Sequence, residues 1–250
     1  MRLDAHAARP DDRFAPSEQG PRLPPYFAGM TRTARSALEA ALDEAGGLIL
    51  VAGPPGSGRA TTLRSLLRAR PDALAVGDLG GPGRAAAALR TARGRLVLAA
   101  VNSPYAIAAL SRIAAFEVEP FSIACVLRLV LAQRLLRRLC PSCRIPQQPP
   151  NGITAPLGIE PGSVVFGAQG CGACGDRGFA GRIAAFETIP VDSNIGRMIV
   201  CGADEAAIAN HVFLTSPNLP TAVRALVTQG LTTPEEAIAV LRPRLPSCRT

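Results

Sequence analysis

Two pairs of cysteines constrain the fold of this chain more than any other feature of its sequence. The pairs are Cys140-Pro-Ser-Cys143 and Cys171-Gly-Ala-Cys174, and residues 144–170 lie between them. Two intervening residues let the chain turn so that both sulfurs of a pair reach one point, and two such turns complete the tetrahedral four-sulfur shell that suits Zn²⁺. If the cysteines were only buried or disulfide-bonded, this paired spacing would be accidental. The pattern therefore predicts a zinc site, and one without an open position for a substrate.

The bulk composition is that of a folded intracellular protein. A chain of 250 residues, of which 48% are hydrophobic, can bury a core as one large domain or two small ones. Seven cysteines without an apolar leader segment favour a reducing compartment, so we expect a cytoplasmic protein. No run of 18 apolar residues occurs, and the sequence predicts no membrane-spanning segment. We expect any contact with a membrane to be peripheral.

The net charge of +8 raises the question of a nucleic-acid or anionic-membrane partner. All 27 basic residues are arginine, and the dense cluster among them is Arg134, Arg137 and Arg138. Aromatic residues make up only 4% of the chain and include no Trp, which leaves little surface on which bases could stack. We therefore expect no nucleic-acid partner. The cluster is open to two interpretations, attraction to anionic lipid or a solvated, carboxylate-paired surface, and the second is favoured.

Short apolar runs and helical patterns alternate in the first half of the chain. Residues 48–52 form a wholly apolar run, which is typical of a strand buried on both faces. Similar runs at 73–76 and 96–101, separated by helical segments at 59–70 and 84–93, predict an α/β fold with a parallel sheet. Apolar spacing predicts further helices at residues 33–45, 106–116, 120–139, 195–200, 205–211, 219–229 and 234–241.

A glycine-rich loop follows the first of these apolar runs. Its residues are Gly53, Pro54, Pro55, Gly56, Ser57 and Gly58, and Arg59, Ala60 and Thr61 open the next helix. Glycines in this setting let backbone N–H groups curl around phosphates, so the loop is a candidate P-loop. The alternative is an ordinary glycine turn at the start of a helix. A P-loop normally continues with Lys and then Ser or Thr; here Arg59 keeps the charge and Ala60 offers no hydroxyl to Mg²⁺.

At this point the chain resembles a known family, the bacterial type II secretion and type IV pilus assembly ATPases, the secretion protein E motors. The resemblance runs from about residue 28 to 241, and the tetracysteine insert makes it specific. It rests on residues 47–51 leading into the glycine-rich loop, 112–121, 131–135, Arg137-Arg138-Leu139-Cys140-Pro141-x-x-Cys143, Gly170-Cys171-x-x-Cys174, Gly178-Phe179-x-Gly181-Arg182, Phe186-Glu187 and Gly230-Leu231-Thr232-Thr233-x-Glu235-Glu236.

The resemblance implies a reduced P-loop, RecA-like parallel sheet flanked by helices, with a tetracysteine zinc insert and a small helical C-terminal part. It implies ATP and Mg²⁺ as ligands besides Zn²⁺. Rings of six, homomeric or with a complete motor, and inner-membrane platform proteins are the implied partners. On this basis the chain divides into a flexible Pro-rich arm (1–27), a shortened nucleotide-binding core (28–139), a zinc-binding region (140–185) and a helical C-terminal region (186–250).

The departures from the family pattern fall on its catalytic positions. Arg59-Ala60 replaces the P-loop Lys-Thr, and Gly77-Asp78 replaces the Gly-Glu of the Walker B segment. Asn102 stands where the family has a histidine. Residues 61–77 have room for one helix and one strand, whereas the family places a further strand and an acidic box in this interval. From the resemblance we also expect the family's amino-terminal docking domains to be missing, apart from the short arm.

These departures lead us to expect a secretion or pilus ATPase homologue in which hydrolysis is weak or absent, acting as a nucleotide-binding relic or as an accessory subunit. Asp78 is the residue still placed to take part in catalysis, by holding Mg²⁺ or water at reduced reach. One alternative is a working motor ATPase for protein secretion or pilus assembly. A second alternative is a zinc-dependent module that binds protein or nucleic acid. ATP turnover separates the first two hypotheses, and salt-dependent nucleic-acid binding would indicate the third.

Overall fold

The computed structural model describes residues 27–149, 152–153, 155–160 and 162–242. Most of the arm predicted at residues 1–27 lies outside them. Phe27, its one described residue, is fully buried and stacks on Phe186 with ring centroids 5.5 Å apart. Phe27 therefore belongs to the folded core and not to a flexible arm.

A five-stranded sheet forms the centre of the molecule. The described strands are β1 (Gly47–Gly53), β2 (Leu74–Asp78), β3 (Leu96–Asn102), β4 (Leu127–Leu139), β5 (Arg144–Gln147), β6 (Val165–Ala168) and β7 (Phe179–Pro190). The main sheet has the order β2-β3-β1-β4-β7, in which the first four strands are parallel and β7 is antiparallel to β4. Strands β5 and β6 form a separate antiparallel pair. The predicted α/β fold with a parallel sheet is confirmed.

Nine helices of the described part surround these strands. They are α1 (Arg32–Asp43), α2 (Arg59–Ala69), α3 (Pro82–Ala92), α4 (Ala106–Ala114), α5 (Pro120–Val126), α6 (Ser193–Val200), α7 (Glu205–Val212), α8 (Leu219–Thr228) and α9 (Pro234–Leu241). The longest has 12 residues. A helix needs about 20 apolar residues to cross a bilayer, and none of the described helices has the length and hydropathy for that.

The apolar run of β1 is buried along its whole length because helices cover both faces of the sheet. Leu48 and Leu50 point into a core shared with α3, α4 and α5, whereas Ile49 and Val51 point into a core shared with α1 and α2. This alternation follows from the two-residue repeat of a strand. A third core, formed by α8 and α9 against the far ends of β4 and β7, extends the packing toward the cysteines.

The helix predicted at residues 120–139 is wrong beyond its first two turns. Helix α5 ends at Val126, and the remainder is β4, the strand between β1 and β7. Most of the first half of β4 is buried on both faces, so apolar residues follow one another with little alternation. Such a run carries no strand period, and its leucines also fit a helical spacing.

Two further expectations change in the structure. The run at 73–76 forms β2, but as the edge strand of the sheet it is half-buried and not fully buried. Strand β7 runs unbroken across the boundary placed between residues 185 and 186, and pairs with β4 on both sides of it. The central sheet therefore includes residues from the regions expected to be the zinc insert and the helical tail.

Candidate functional site

The glycine-rich loop leaves the carboxyl end of β1 in the middle of the sheet and enters α2. Gly56 and Gly58 have φ values of +79° and +90°, a left-handed conformation that suits glycine. Gly53 lies so close to the hydroxyl of Ser57 that a side chain at residue 53 would overlap it. The N–H of Ser57 donates to the carbonyl of Pro54 at 3.1 Å, which closes the turn. The loop thus has the strand–turn–helix setting in which backbone N–H groups can meet an anion.

A buried glutamine from β4 holds this loop in place. Gln133 is 1% exposed, and its Nε2 donates to the carbonyl oxygen of Ser57 at 2.6 Å. Its Oε1 accepts a hydrogen bond of 2.5 Å from the hydroxyl of Thr62, which is fully buried on α2. One side chain therefore joins β4 to the loop and to the first turn of the following helix.

The positions from which a P-loop would bind Mg²⁺ offer few ligand atoms. Ala60 has no ligand atom, and the hydroxyl of Thr62 is already committed to Gln133. Thr61 is exposed and lies one position, or about 100°, further round the helix. Asn102, which ends β3 beside Gly53, is exposed and carries an amide where the family has a titratable imidazole.

Arg59, the basic residue that follows the loop, forms an ion pair with Asp78 at the end of β2. Arg59 Nη1 lies 3.2 Å from Asp78 Oδ2 at the end of β2, and the two side chains are 16% and 48% exposed. Strand β3 separates β1 from β2, so this pair bridges roughly 10 Å of sheet. Arg84, at the start of α3, also donates to the backbone carbonyl of Asp78 at 3.4 Å. The structure thus brings Arg59 and Asp78 together as predicted site residues and adds Arg84.

The four predicted zinc ligands form one cluster at the end of β4. Their sulfurs all lie within 4.8 Å of one another, with Sγ–Sγ distances of 4.0 Å for Cys140–Cys171, 3.8 Å for Cys143–Cys174 and 3.9 Å for Cys171–Cys174. Zn–S bonds of about 2.3 Å in a tetrahedron place the sulfurs roughly 3.8 Å apart, whereas a disulfide holds them at about 2.05 Å. The spacing fits a four-sulfur metal site.

Backbone N–H groups add to the fit between this cluster and a metal. Burial raises the pKa of Cys143 to about 12, which is typical of a thiol without compensating charge. Burial also opposes ionisation of Cys174, but the N–H groups of Cys171 and Gly178 donate to its Sγ at 3.3 and 3.2 Å and lower its pKa to about 7. These bonds favour the thiolate, which is the form that binds metal.

Two arginines of the predicted cluster, Arg134 and Arg137, contact other segments of this chain. Arg137 Nη2 donates to Glu236 of α9 at 2.7 Å, and its guanidinium lies 4.0 Å from the centre of the Phe179 ring. Arg134 Nη2 donates to the carbonyl of Pro104 at 2.7 Å. Arg137 therefore has the carboxylate partner that the favoured interpretation predicts, whereas Arg134 donates to a backbone carbonyl. Both arginines tie β4 to neighbouring segments.

One buried carboxylate had not been predicted as a functional or structural centre. Glu187 of β7 is 3% exposed and accepts hydrogen bonds from the N–H of Ala106 at 2.6 Å and of Leu219 at 2.9 Å. It thereby caps the N-termini of α4 and α8 together. Burial raises its pKa, although the two N–H groups and the charge of Arg134 work in the opposite direction.

Comparison with known proteins places the chain in a family. A family model described as "Type II/IV secretion system protein" matches residues 60–239, well over half of the chain. The chain belongs to this family. The type II secretion system protein E of Pseudomonas aeruginosa is 28% identical to it, over 90% of this chain and 54% of the relative. The type IV pilus assembly ATPase PilB of Thermus thermophilus is 34% identical over 72% of this chain and 21% of the relative.

Solved structures of related fold support the same architecture. The pilus retraction motor PilT with bound ADP superposes with a TM-score of 0.57 at 18% identity, covering 89% of this chain and 68% of PilT. The Legionella pneumophila ATPase DotB gives 0.58 at 13% identity, covering 82% of this chain and 63% of DotB. This family member spans about half the length of the secretion proteins that it matches. The alignment with the Pseudomonas protein is longer than the whole chain, so that relative carries residues within the aligned region that are missing here.

Sequence reasoning found the loop and the cysteines, but it missed the supports around them. Gln133 carried a signal, since it is a polar residue inside a run of apolar ones. The capping role of Glu187 could not be read from the sequence, because Ala106 and Leu219 lie 81 and 32 positions away. Arg84 lies six positions from Asp78, but no sequence pattern says that the two residues meet.

Proposed function

We propose that this member of the secretion and pilus ATPase family is a nucleotide-binding accessory subunit or relic that holds phosphates weakly and turns over ATP slowly or not at all. The observation that carries the proposal is a strand–turn–helix loop with left-handed glycines, in which alanine stands at the position of the expected magnesium ligand. Gly56 and Gly58 keep the turn and Gln133 supports it, while Ala60 removes the hydroxyl. Phosphoryl transfer depends on Mg²⁺ and cationic side chains that neutralise the developing charge, so a loop that holds Mg²⁺ poorly should turn over ATP slowly.

The two sites have separate parts in this proposal. Residues 53–61 would bind the phosphates, with Arg59 as the cation and Asp78 as the remaining acidic residue. The four cysteines would hold a structural Zn²⁺ that fixes the end of β4 against α9. Neighbouring contacts support this second part, because Leu139 N donates to the carbonyl of Leu231 at 2.9 Å beside the first cysteine pair.

The family suggests a cellular location, a partner and an assembly for this chain. We propose a location on the cytoplasmic side of the inner membrane, peripheral and through partners, with a complete motor or platform protein as the partner and a mixed or homomeric hexamer as the assembly. Fractionation of cells with and without the partner motor tests this. Membrane association that withstands high-salt washing in the absence of that motor would contradict it.

Phosphate release from ATP, with and without Mg²⁺, tests the nucleotide part. We expect background release from the wild type, and we expect the variant Arg59→Lys/Ala60→Thr to bind ATP more tightly while hydrolysing it hardly faster. The repaired loop still lacks the histidine at position 102 and the acidic segment that residues 61–77 have no room for. Robust Mg²⁺-dependent release by the wild type would instead show a working motor ATPase.

Metal analysis and thermal unfolding test the zinc part. We expect one Zn²⁺ per chain, and Cys171→Ser should lose it and lower the melting temperature, because structural Zn²⁺ contributes directly to folding. Cys125→Ser is the matched control, since Cys125 is exposed and lies outside the cluster. Less than a few tenths of an equivalent of metal, with no thermal change on chelation, would rule the site out.

A further inference from the structure

We propose that Asp78 acts as a counter-ion that competes with phosphates for Arg59, so that the loop takes a polyphosphate without Mg²⁺ and takes it more tightly once the carboxylate is removed. The proposal rests on the phosphate-binding function proposed above and assigns Asp78 a role opposite to that of a magnesium ligand.

The geometry of the ion pair carries the first step. Arg59 opens α2 immediately after Gly58, where a P-loop cation would meet phosphate, yet its guanidinium is bound to Asp78 at 3.2 Å. Arg59 is only 16% exposed while Asp78 is 48% exposed, so the carboxylate is the more mobile partner at the solvent side. An arriving phosphate has to displace Asp78 to bind the same Nη1 of Arg59.

The second step concerns the charge that replaces a metal. Arg84 donates to the carbonyl of Asp78, so two guanidinium groups contact this residue. A guanidinium binds phosphate oxygens with two parallel hydrogen bonds and keeps its charge at all working pH values. With no hydroxyl at Ala60, these two arginines supply positive charge that Mg²⁺ would otherwise bring.

A third observation comes from the loop interior. Ser57 is 4% exposed, and within the described residues its hydroxyl has no hydrogen-bond partner. The hydroxyl lies against Gly53 on the inner side of the turn. Buried polar atoms are nearly always satisfied in folded proteins, and an oxygen of a bound phosphate would satisfy this one.

The two roles for Asp78 predict different effects of the same substitution on phosphate binding. If Asp78 were a magnesium ligand, Asp78→Asn would weaken Mg²⁺-dependent binding and leave metal-free binding unchanged. If Asp78 is a competing counter-ion, the same variant should bind tripolyphosphate and ATP more tightly in EDTA. We expect roughly a tenfold gain at low salt, because both the competing ion pair and a like charge beside the phosphates are removed. The gain should shrink as salt is added.

The experiment is isothermal titration of the full chain in EDTA with tripolyphosphate and, separately, with ATP. Asp72→Asn is the matched control, since Asp72 is also paired with an arginine (Arg70 at 2.9 Å) and its loss changes the net charge equally, but it lies at the opposite end of β2. Arg84→Gln should weaken binding about threefold or more, whereas Arg90→Gln, at the far end of the same helix, should not. Asp78→Ser repeats the test with a second uncharged side chain.

Tighter binding by Asp78→Asn than by Asp72→Asn, for both probes, supports the counter-ion role. Equal or weaker binding by Asp78→Asn and Asp78→Ser, with measurable wild-type binding, overturns that role and leaves the phosphate-binding function standing. If folded wild type and all variants fail to bind either probe, both the counter-ion role and the proposed function are wrong.

Discussion

Replacing Gln133 by leucine should weaken both the fold and the phosphate loop. Leucine has nearly the same size as glutamine and is compatible with a strand, so the change tests the hydrogen bonds and not the packing. In the variant, the Ser57 carbonyl and the Thr62 hydroxyl both lose a partner in a fully buried place.

The expected cost follows from those two groups. A buried polar group left without its partner costs about 1–3 kcal/mol. Some of that is offset because leucine buries more apolar surface than the amide did, by about 1 kcal/mol. We therefore expect Gln133→Leu to lower the free energy of unfolding by about 2–4 kcal/mol, and Thr62→Val alone to lower it by about 1–2 kcal/mol.

A double-mutant cycle isolates the pair. When both partners are apolar, no buried group of this pair remains unsatisfied, so the double variant should cost about 1 kcal/mol less than the sum of the two single changes. Urea unfolding followed by circular dichroism measures all four proteins. Additive costs, or a Gln133→Leu variant within about 0.5 kcal/mol of the wild type, would refute the reasoning that this side chain anchors the loop.

Three further changes test other contacts. Burial raises the folded-state pKa of Glu187, so the stability linked to its protonation is fully present below pH 4.5 and is lost as the pH rises through the folded-state pKa. Glu187→Gln should remove this part of the pH dependence of the urea midpoint. The pKa of Glu236 is lowered, mainly by its hydrogen bond to Arg137, so this ion pair between α9 and β4 stabilises the fold fully above pH 4.5 and is lost as the pH falls through the folded-state pKa. Glu236→Gln should cost about 0.5–1 kcal/mol at pH 7, and the cost should shrink as the pH is lowered through that range. Gly178→Ala would place a Cβ 2.6 Å from that of Ala168 and should lower the melting temperature more than Gly181→Ala, which has a similar φ but open space. Equal losses of melting temperature in the two alanine variants would show that backbone strain at positive φ, and not overlap with Ala168, causes the loss.

The sequence by itself determined the features that depend on neighbouring residues. The strand before the loop, the glycines of the loop, the helix after it and the two cysteine turns all follow from residues within about ten positions of one another. Such signals are local because turn geometry depends on the residues of the turn itself, and because an apolar run or a helical repeat is visible within a few residues. For the same reason, the loss of a hydroxyl at Ala60 could be read directly, without any structure.

Only the tertiary structure decided how distant segments meet. Strand β4 was predicted as a helix because a strand buried on both faces shows no period, and only its pairing with β1 and β7 identifies it. The partner of Arg59 is 19 residues away, and Gln133 reaches Ser57 across 76 positions. Glu187 caps two helices whose first residues lie 81 and 32 positions away. Each of these contacts depends on the order of the strands and on which helix side chains pack against the sheet. Both are properties of the assembled layers, and no local sequence pattern encodes them.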